Sequence, residues 1–135
     1  MSKQRGFTFV EIMVVLAVIA ILASIAYPSY VSSIRKSRRQ DAKADVVRAQ
    51  ILQEKYRTNN ASYAANAGAA GVSSSSPQYY QLVTAADGLT PTIKYTVTAT
   101  ALNDQANDSE KGVSCGSLTL TVDASGETYA PPECW

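Results

Sequence analysis

A chain of 135 residues, 46% of them hydrophobic, has material for one modest domain and no second core. Its 12 Lys/Arg against 11 Asp/Glu give a formal net charge of +1, which offers no general attraction to nucleic acid or anionic membranes. Histidine is absent, which excludes Ser-His-Asp and Cys-His dyads, His-containing zinc sites and any imidazole base. Accordingly no enzymatic activity, catalytic residue, metal or other cofactor is expected.

The small net charge conceals a bipolar chain. Met1 to Arg57 holds ten Lys/Arg and four Asp/Glu, net +6, whereas Thr58 to Trp135 holds two and seven, net −5. Apolar residues are spread as unevenly: Ile12 to Ala23 is twelve positions without a polar side chain, and Phe7 to Tyr27 has only Thr8, Glu11 and Ser24 as polar exceptions. About 20 apolar residues span a bilayer, so this segment predicts a single membrane-crossing helix. A rival reading is a secretory signal peptide cut among the small residues between Ala20 and Ala26. Against it stands Glu11, because a carboxylate costs about 2 to 3 kcal/mol within a bilayer and a discarded segment gains nothing from it. An acid in hydrocarbon protonates or finds a cation, so Glu11 asks for a partner.

The run Lys3-Gln4-Arg5-Gly6-Phe7-Thr8-Phe9-Val10-Glu11, with the apolar residues that follow, resembles the class III signal of type IV pilins and of the pseudopilins of type II secretion. The resemblance implies a leader of residues 1–6, cut by prepilin peptidase between Gly6 and Phe7 on the cytoplasmic side, and a methylated Phe7. Glycine suits the scissile position because it puts no side chain in the way of a protease pocket. The cut removes Lys3 and Arg5 and leaves 129 of the 135 residues, with ten basic and eleven acidic groups. It also frees an α-ammonium at Phe7, about 6 Å along a helix axis from Glu11. An axial offset between neighbouring stems can then set Glu11 of one subunit beside Phe7 of another, which agrees with the assembly role that the family gives this acid.

Residues 7–28 are expected to form the transmembrane and filament-core helix. Pro28 costs a helix one hydrogen bond and predicts a bend, since pilins carry a proline at the equivalent place. Residues 29–57 contain no further proline or glycine, and Ile34, Ala42, Val46, Ala49 and Tyr56, widened by Leu52, form an amphipathic stripe. Asn59-Asn60 reads as the stop, and Ala64 to Pro77 as a mobile loop. In residues 58–135 the period changes: Tyr95 to Ala101 and Ser117 to Val122 alternate apolar residues with hydroxyl ones, Tyr79 to Val83 is a third candidate strand, and Asp123 to Gly126 turns into Glu127-Thr128-Tyr129. The expected fold class is α+β: a long N-terminal helix, hydrophobic then amphipathic, packed on an antiparallel β-sheet head, the lollipop of the pilins.

Cys115 and Cys134 have no CxxC spacing and read as one disulfide of an oxidising compartment. The stretch Lys111 to Leu120 and the ending Glu133-Cys134-Trp135 look like the disulfide-bounded C-terminal loop of type IVa pilins, PilE-like minor pilins in particular. The run Arg35-Lys36-Ser37-Arg38-Arg39 conflicts with the expected orientation, because its four charges outweigh Lys3 and Arg5 by the positive-inside rule. The resemblance and the cysteine pair favour a periplasmic head, with these cations facing lipid headgroups, acids of neighbouring subunits or solvent. Asn103 to Glu110 is acidic enough for calcium but lacks the EF-hand spacing and glycine, and reads as a polar surface loop. Tyr79, Tyr80 and Tyr129 read as packing residues.

Taken together, the expectation is a type IV pilus subunit of the minor class, serving pilus assembly, twitching motility or adhesion. It is expected to sit in the inner membrane with a periplasmic head before assembly and in an extracellular pilus afterwards. Its expected partners are other pilin subunits, prepilin peptidase, the inner-membrane assembly machinery and the membrane itself. Two alternatives stay open, a type II secretion pseudopilin and a DNA-uptake pilin. Nucleic acid is not expected as a partner, because beyond Arg57 only Lys94 and Lys111 are basic. An enzyme on an uncleaved anchor has no nucleophile and base to stand on.

Overall fold

The computed structural model describes residues 6–135, so Lys3, Arg5 and the remainder of the expected leader before Gly6 lie outside the described residues. Helix α1 spans Phe9–Asn59 and continues through Pro28. Its start is set by Thr8, whose Oγ1 accepts from the Glu11 N–H at 3.2 Å, while Glu11 Oε2 accepts from the Thr8 N–H at 3.4 Å. This reciprocal pair is a capping box, and it satisfies two of the donors that a helix start leaves open. At the other end Asn60 Nδ2 donates to the Tyr56 carbonyl at 2.8 Å, which accounts for the stop two residues beyond the expected Arg57.

The chain divides into two units, Met1–Ile34 and Arg35–Trp135. In the first, every described residue up to Tyr30 is exposed. The helix is long and apolar enough there to cross a membrane.

In the second unit, the part of α1 from Arg35 onward packs on one face of a four-stranded antiparallel sheet. Its strands are β1 (Tyr80–Ala86), β2 (Tyr95–Ala101), β5 (Ser117–Asp123) and β6 (Gly126–Ala130), in the order β1-β2-β5-β6. Register places Val97 opposite both Thr84 and Leu120, so that the inward positions of β1, β2 and β5 share one face. Tyr80, Tyr95, Val97, Ala99, Leu118 and Leu120 are buried there against Ala42, Val46 and Ala49 of the helix. The threonines between them, Thr96, Thr98, Thr119 and Thr121, lie on the opposite, wetter face, as the two-residue period requires.

Between β2 and β5 runs a 3-10 turn, Asn103–Asn107, followed by a small hairpin, β3 (Ser109–Glu110) and β4 (Val113–Ser114). Its turn sets Lys111 at φ 50° and Gly112 at φ 82°, both left-handed, and glycine is suited to the second of these. The strand-rich reading missed this hairpin because each strand is too short to show alternation.

The serine-rich stretch expected to be mobile is anchored. Helix α2, Ala67–Ala70, is capped by the Asn66 side chain, Ala64 and Ala70 are buried, and Ser75 donates its N–H to Asp45 of α1 at 2.7 Å. Composition alone underrates such a segment, because backbone and hydroxyl groups can be held by one buried carboxylate.

Candidate functional site

Two regions carry the chemistry, the start of α1 and the polar residues on its buried stripe. At the start, no atom of the described residues lies near the place a side chain on Gly6 would occupy, and Phe7 is exposed. Glu11 has a partner within its own chain, the Thr8 N–H, so its carboxylate helps to cap the helix. The apolar residues after it, Ile12 to Leu22 among them, are exposed, with none of the described residues of the first unit covering them.

Along the second half of α1 the buried positions are Arg39, Ala42, Asp45, Val46, Ala49 and Gln53, and three of these six are polar. Buried polar groups cost stability unless they are hydrogen-bonded, and each of the three is matched to a different part of the head. Gln53 donates to Thr84 Oγ1 at 2.7 Å and to the Ala64 carbonyl at 3.1 Å, and its Oε1 accepts from the Ala64 N–H at 2.9 Å. Asp45 accepts from the Ser75 N–H and from the Ser75 hydroxyl at 2.8 Å, and pairs with Arg48 at 3.3 Å. Arg39, only 2% exposed, pairs through Nη1 with Asp108 at 3.2 Å and through Nη2 with Glu110.

The rest of the basic run faces the same acidic segment. Arg35 holds Asp104 through Nη2 at 2.6 Å, Lys36 reaches Glu110 at 3.4 Å, and Arg38 lies over the Tyr79 ring at 3.7 Å. Hydrogen bonds from Arg35 and Arg39 hold the Asp104 and Glu110 carboxyls below their ordinary range. Asp108 goes the other way, because burial raises it by more than the Arg39 charge lowers it. Asn103 to Glu110 is thus the acidic counterpart of Arg35 to Arg39 within one chain. Arg39 Nη1 also donates to Cys115 Sγ at 2.8 Å, and Cys115 is bonded to Cys134. The disulfide therefore joins the approach to β5, the final 3-10 turn (Pro132–Cys134) and the buried guanidinium.

The family model of the type IV minor pilin ComP, DNA uptake sequence receptor, matches residues 28–119, more than half of the chain. The chain belongs to this family of type IV minor pilins. The prokaryotic N-terminal methylation motif matches residues 1–27. None of the curated proteins compared with the chain matches it. In this minor pilin the match over residues 28–119 favours pilin over the secretion pseudopilins that resemble it at the N-terminus.

Of the residues singled out from sequence, the fold of the minor pilin joins Cys115 to Cys134 and sets Glu11 against Thr8. Gly6, Phe7 and Pro28 it leaves without side-chain partners among the described residues. Arg39, Asp45 and Gln53 were not singled out as buried anchors. Their signal was available: positions 39, 42, 45, 46, 49 and 53 continue the stripe, and a polar residue on a buried stripe implies a partner across the interface. Likewise Thr8 and Glu11 stand at capping-box spacing before an apolar run.

Proposed function

We propose that this type IV minor pilin is made as a prepilin, cut between Gly6 and Phe7 by prepilin peptidase and methylated on Phe7. Residues 7–28 then hold it in the inner membrane, with residues 29–57 and the sheet domain of residues 58–135 in the periplasm. From there the assembly machinery draws it into an extracellular pilus, where α1 packs against the helices of other pilin subunits and Glu11 registers it by pairing with a neighbour's Phe7 ammonium. In the filament it serves assembly, twitching motility or adhesion, and no catalysis is asked of it.

The observation that carries this reading is the N-terminal methylation motif over residues 1–27 on a helix whose apolar side chains are exposed from Phe9 to Ile25. So much apolar surface is stable only in lipid or against other helices. The disulfide fits the periplasm. Intact-mass measurement of membrane-bound protein tests the processing step: wild type should begin at Phe7 and carry one methyl group, and Gly6→Val should retain residues 1–6. A wild-type chain that begins at Met1, or beyond Ala26, overturns the reading.

A second reading, DNA uptake, is favoured by the description of the matching family and by where the cations lie. The count of two basic residues beyond Arg57 understates the folded unit, since Arg35–Trp135 contains ten Lys/Arg and ten Asp/Glu. Arg35, Lys36, Arg39, Arg48 and Lys94 are spent on pairs within the chain. Double-stranded DNA titrated into detergent-solubilised protein tests it: binding should weaken steeply as salt rises from about 50 to 200 mM. No binding at the lower salt removes this reading and leaves the first intact.

A further inference from the structure

We propose that Tyr27 and Tyr30 of α1 form a membrane-interface anchor, seated among the glycerol and headgroup atoms of phospholipids in the periplasmic leaflet, and that this anchor fixes how deep the helix lies. The inference rests on the reading of residues 7–28 as the membrane-spanning segment and gives that segment a depth.

Two seats in a bilayer compete. No charged residue occurs between Glu11 and Arg35, so charge alone allows all 23 residues of 12–34 to lie in hydrocarbon. The aromatic and polar groups select a seat that ends at Tyr27. Tyr27 and Tyr30 are 70% and 64% exposed, and a spacing of three puts them on one face of the helix, a turn apart. Neither hydroxyl makes a hydrogen bond among the described residues. A phenol with a bare ring and an unpartnered tip is most stable where one end is dry and the other wet, which is the headgroup level of a membrane.

Pro28 points the same way independently. It lies within α1 and has no N–H, so the Ser24 carbonyl loses its donor four residues on. Deep in hydrocarbon that oxygen stays unmet, whereas within a turn of the headgroups water reaches it. The Ser24 hydroxyl needs no such help, because it donates to the Ile21 carbonyl at 2.7 Å. Beyond Pro28, Ser29, Ser32 and Ser33 are exposed, and the deeper seat would draw all three into lipid with both phenols.

Length closes the argument. Phe9, where α1 begins, stands about 27 Å along the axis from Tyr27, and Phe7 and Thr8 complete the span of a core about 30 Å thick. The Gly6–Phe7 bond then falls at the cytoplasmic boundary. Glu11, about 24 Å from Tyr27, lies roughly one turn inside it.

Tyr27→Trp, Tyr30→Trp, Val18→Trp and Ser33→Trp, each combined with Trp135→Phe, give four full chains with a single indole. They are placed in phosphatidylglycerol–phosphatidylcholine vesicles whose acyl chains carry bromine either near the headgroup or near the methyl end. Bromine near the headgroup should quench the indoles at 27 and 30 most, bromine near the methyl end should quench the one at 18 most, and the one at 33 should emit as in water. Adding Tyr27→Leu and Tyr30→Leu should draw the indole at 33 into the interface, shifting its emission to the blue and exposing it to the shallow bromine. Strongest quenching at 27 by the deep bromine overturns the seat. An indole at 33 that is unmoved by the leucine pair overturns the anchoring role. Water-like emission at 30 overturns the lipid contact, and shielding of that indole in sheared pili would then assign the pair to contact between subunits. A chain that intact mass shows to begin at Phe7 keeps the processing reading whichever of these is found, whereas a chain that does not stay with vesicles overturns the span and its anchor together.

Discussion

Arg39 brings a guanidinium into the interior of a small domain, where it is stable only because Asp108 and Glu110 meet it. Asp108 is itself only 4% exposed, so removing the arginine alone strands a buried carboxylate. Arg39→Met should therefore cost about 3–5 kcal/mol, and adding Asp108→Leu should recover most of that loss, since replacing both members of a buried pair by apolar groups is often neutral. Urea midpoints of the single and double variants decide this, and a double variant no more stable than the single would mean that the pair is not the source of the loss. The same network sets a response to acid. The Asp104 and Glu110 carboxyls lie below their ordinary values of 3.8 and 4.5, held there by hydrogen bonds from Arg35 and Arg39. The unfolded chain then takes up more protons than the folded one as pH falls below those values, so the stability these groups contribute is present above them and is lost on acidification. Asp108, raised by burial, contributes with the opposite sign, its share being present in acid and lost as pH rises through its folded pKa. Urea midpoints should accordingly fall below about pH 4.5, and the fall should be shallower in the double variant Asp104→Asn with Glu110→Gln.

Among the elements, β2 was legible to the residue, because Tyr95 to Ala101 alternates without interruption, and β5 to within one residue, at Asp123. Less was legible where one local choice depends on a distant partner. Strand β1 extends to Ala86 because it has β2 beside it along Tyr95–Ala101, although Thr84-Ala85-Ala86 carries little apolar signal of its own. The serine stretch is fixed by Asp45, and nothing in Ser73 to Ser76 announces a carboxylate thirty positions earlier. Asp45→Ala should leave the sheet intact and open the segment between Val72 and Pro77 to a non-specific protease, read by mass spectrometry of the fragments. Cleavage no faster than in wild type would mean that α2 and its caps suffice to hold the loop. The disulfide couples elements in another way, through the unfolded chain. Replacing Cys115 and Cys134 by serine should lower stability by about 2–5 kcal/mol. The final turn and β6 should fray first, while α1 and the strands β1, β2 and β5 keep their circular dichroism, because those elements supply most of the core, Val46, Tyr80, Val97 and Leu120 among it, and the C-terminal turn adds only Cys134 to it. Finding two alkylatable thiols in wild-type protein purified without reductant would refute the bridge itself.

At the scale of the whole molecule, the central feature is a helix that serves two surroundings. From Arg39 to Gln53 it is committed to its own head by buried polar anchors, and from Phe9 to Ile25 its apolar side chains remain for lipid or for other subunits. Glu11 stands at the start of the uncommitted part with two possible duties, capping its own helix through Thr8 and pairing with another subunit's Phe7 ammonium. The two can be told apart by substitution. Glu11→Val removes both, and should be cleaved and inserted as well as wild type, since a charge leaves the bilayer, yet enter pili poorly. Glu11→Gln retains the capping hydrogen bond, because glutamine serves at the third position of a capping box, and removes only the charge. Thr8→Ala removes the threonine half of the box and retains the charge. If registration by charge is the governing duty, Glu11→Gln should fail to enter filaments nearly as completely as Glu11→Val, while Thr8→Ala should assemble. If capping governs, the order reverses, with Thr8→Ala excluded and Glu11→Gln incorporated. Quantifying each variant in sheared pili beside its membrane pool separates assembly from insertion, and full incorporation of Glu11→Val would leave the carboxylate without either duty.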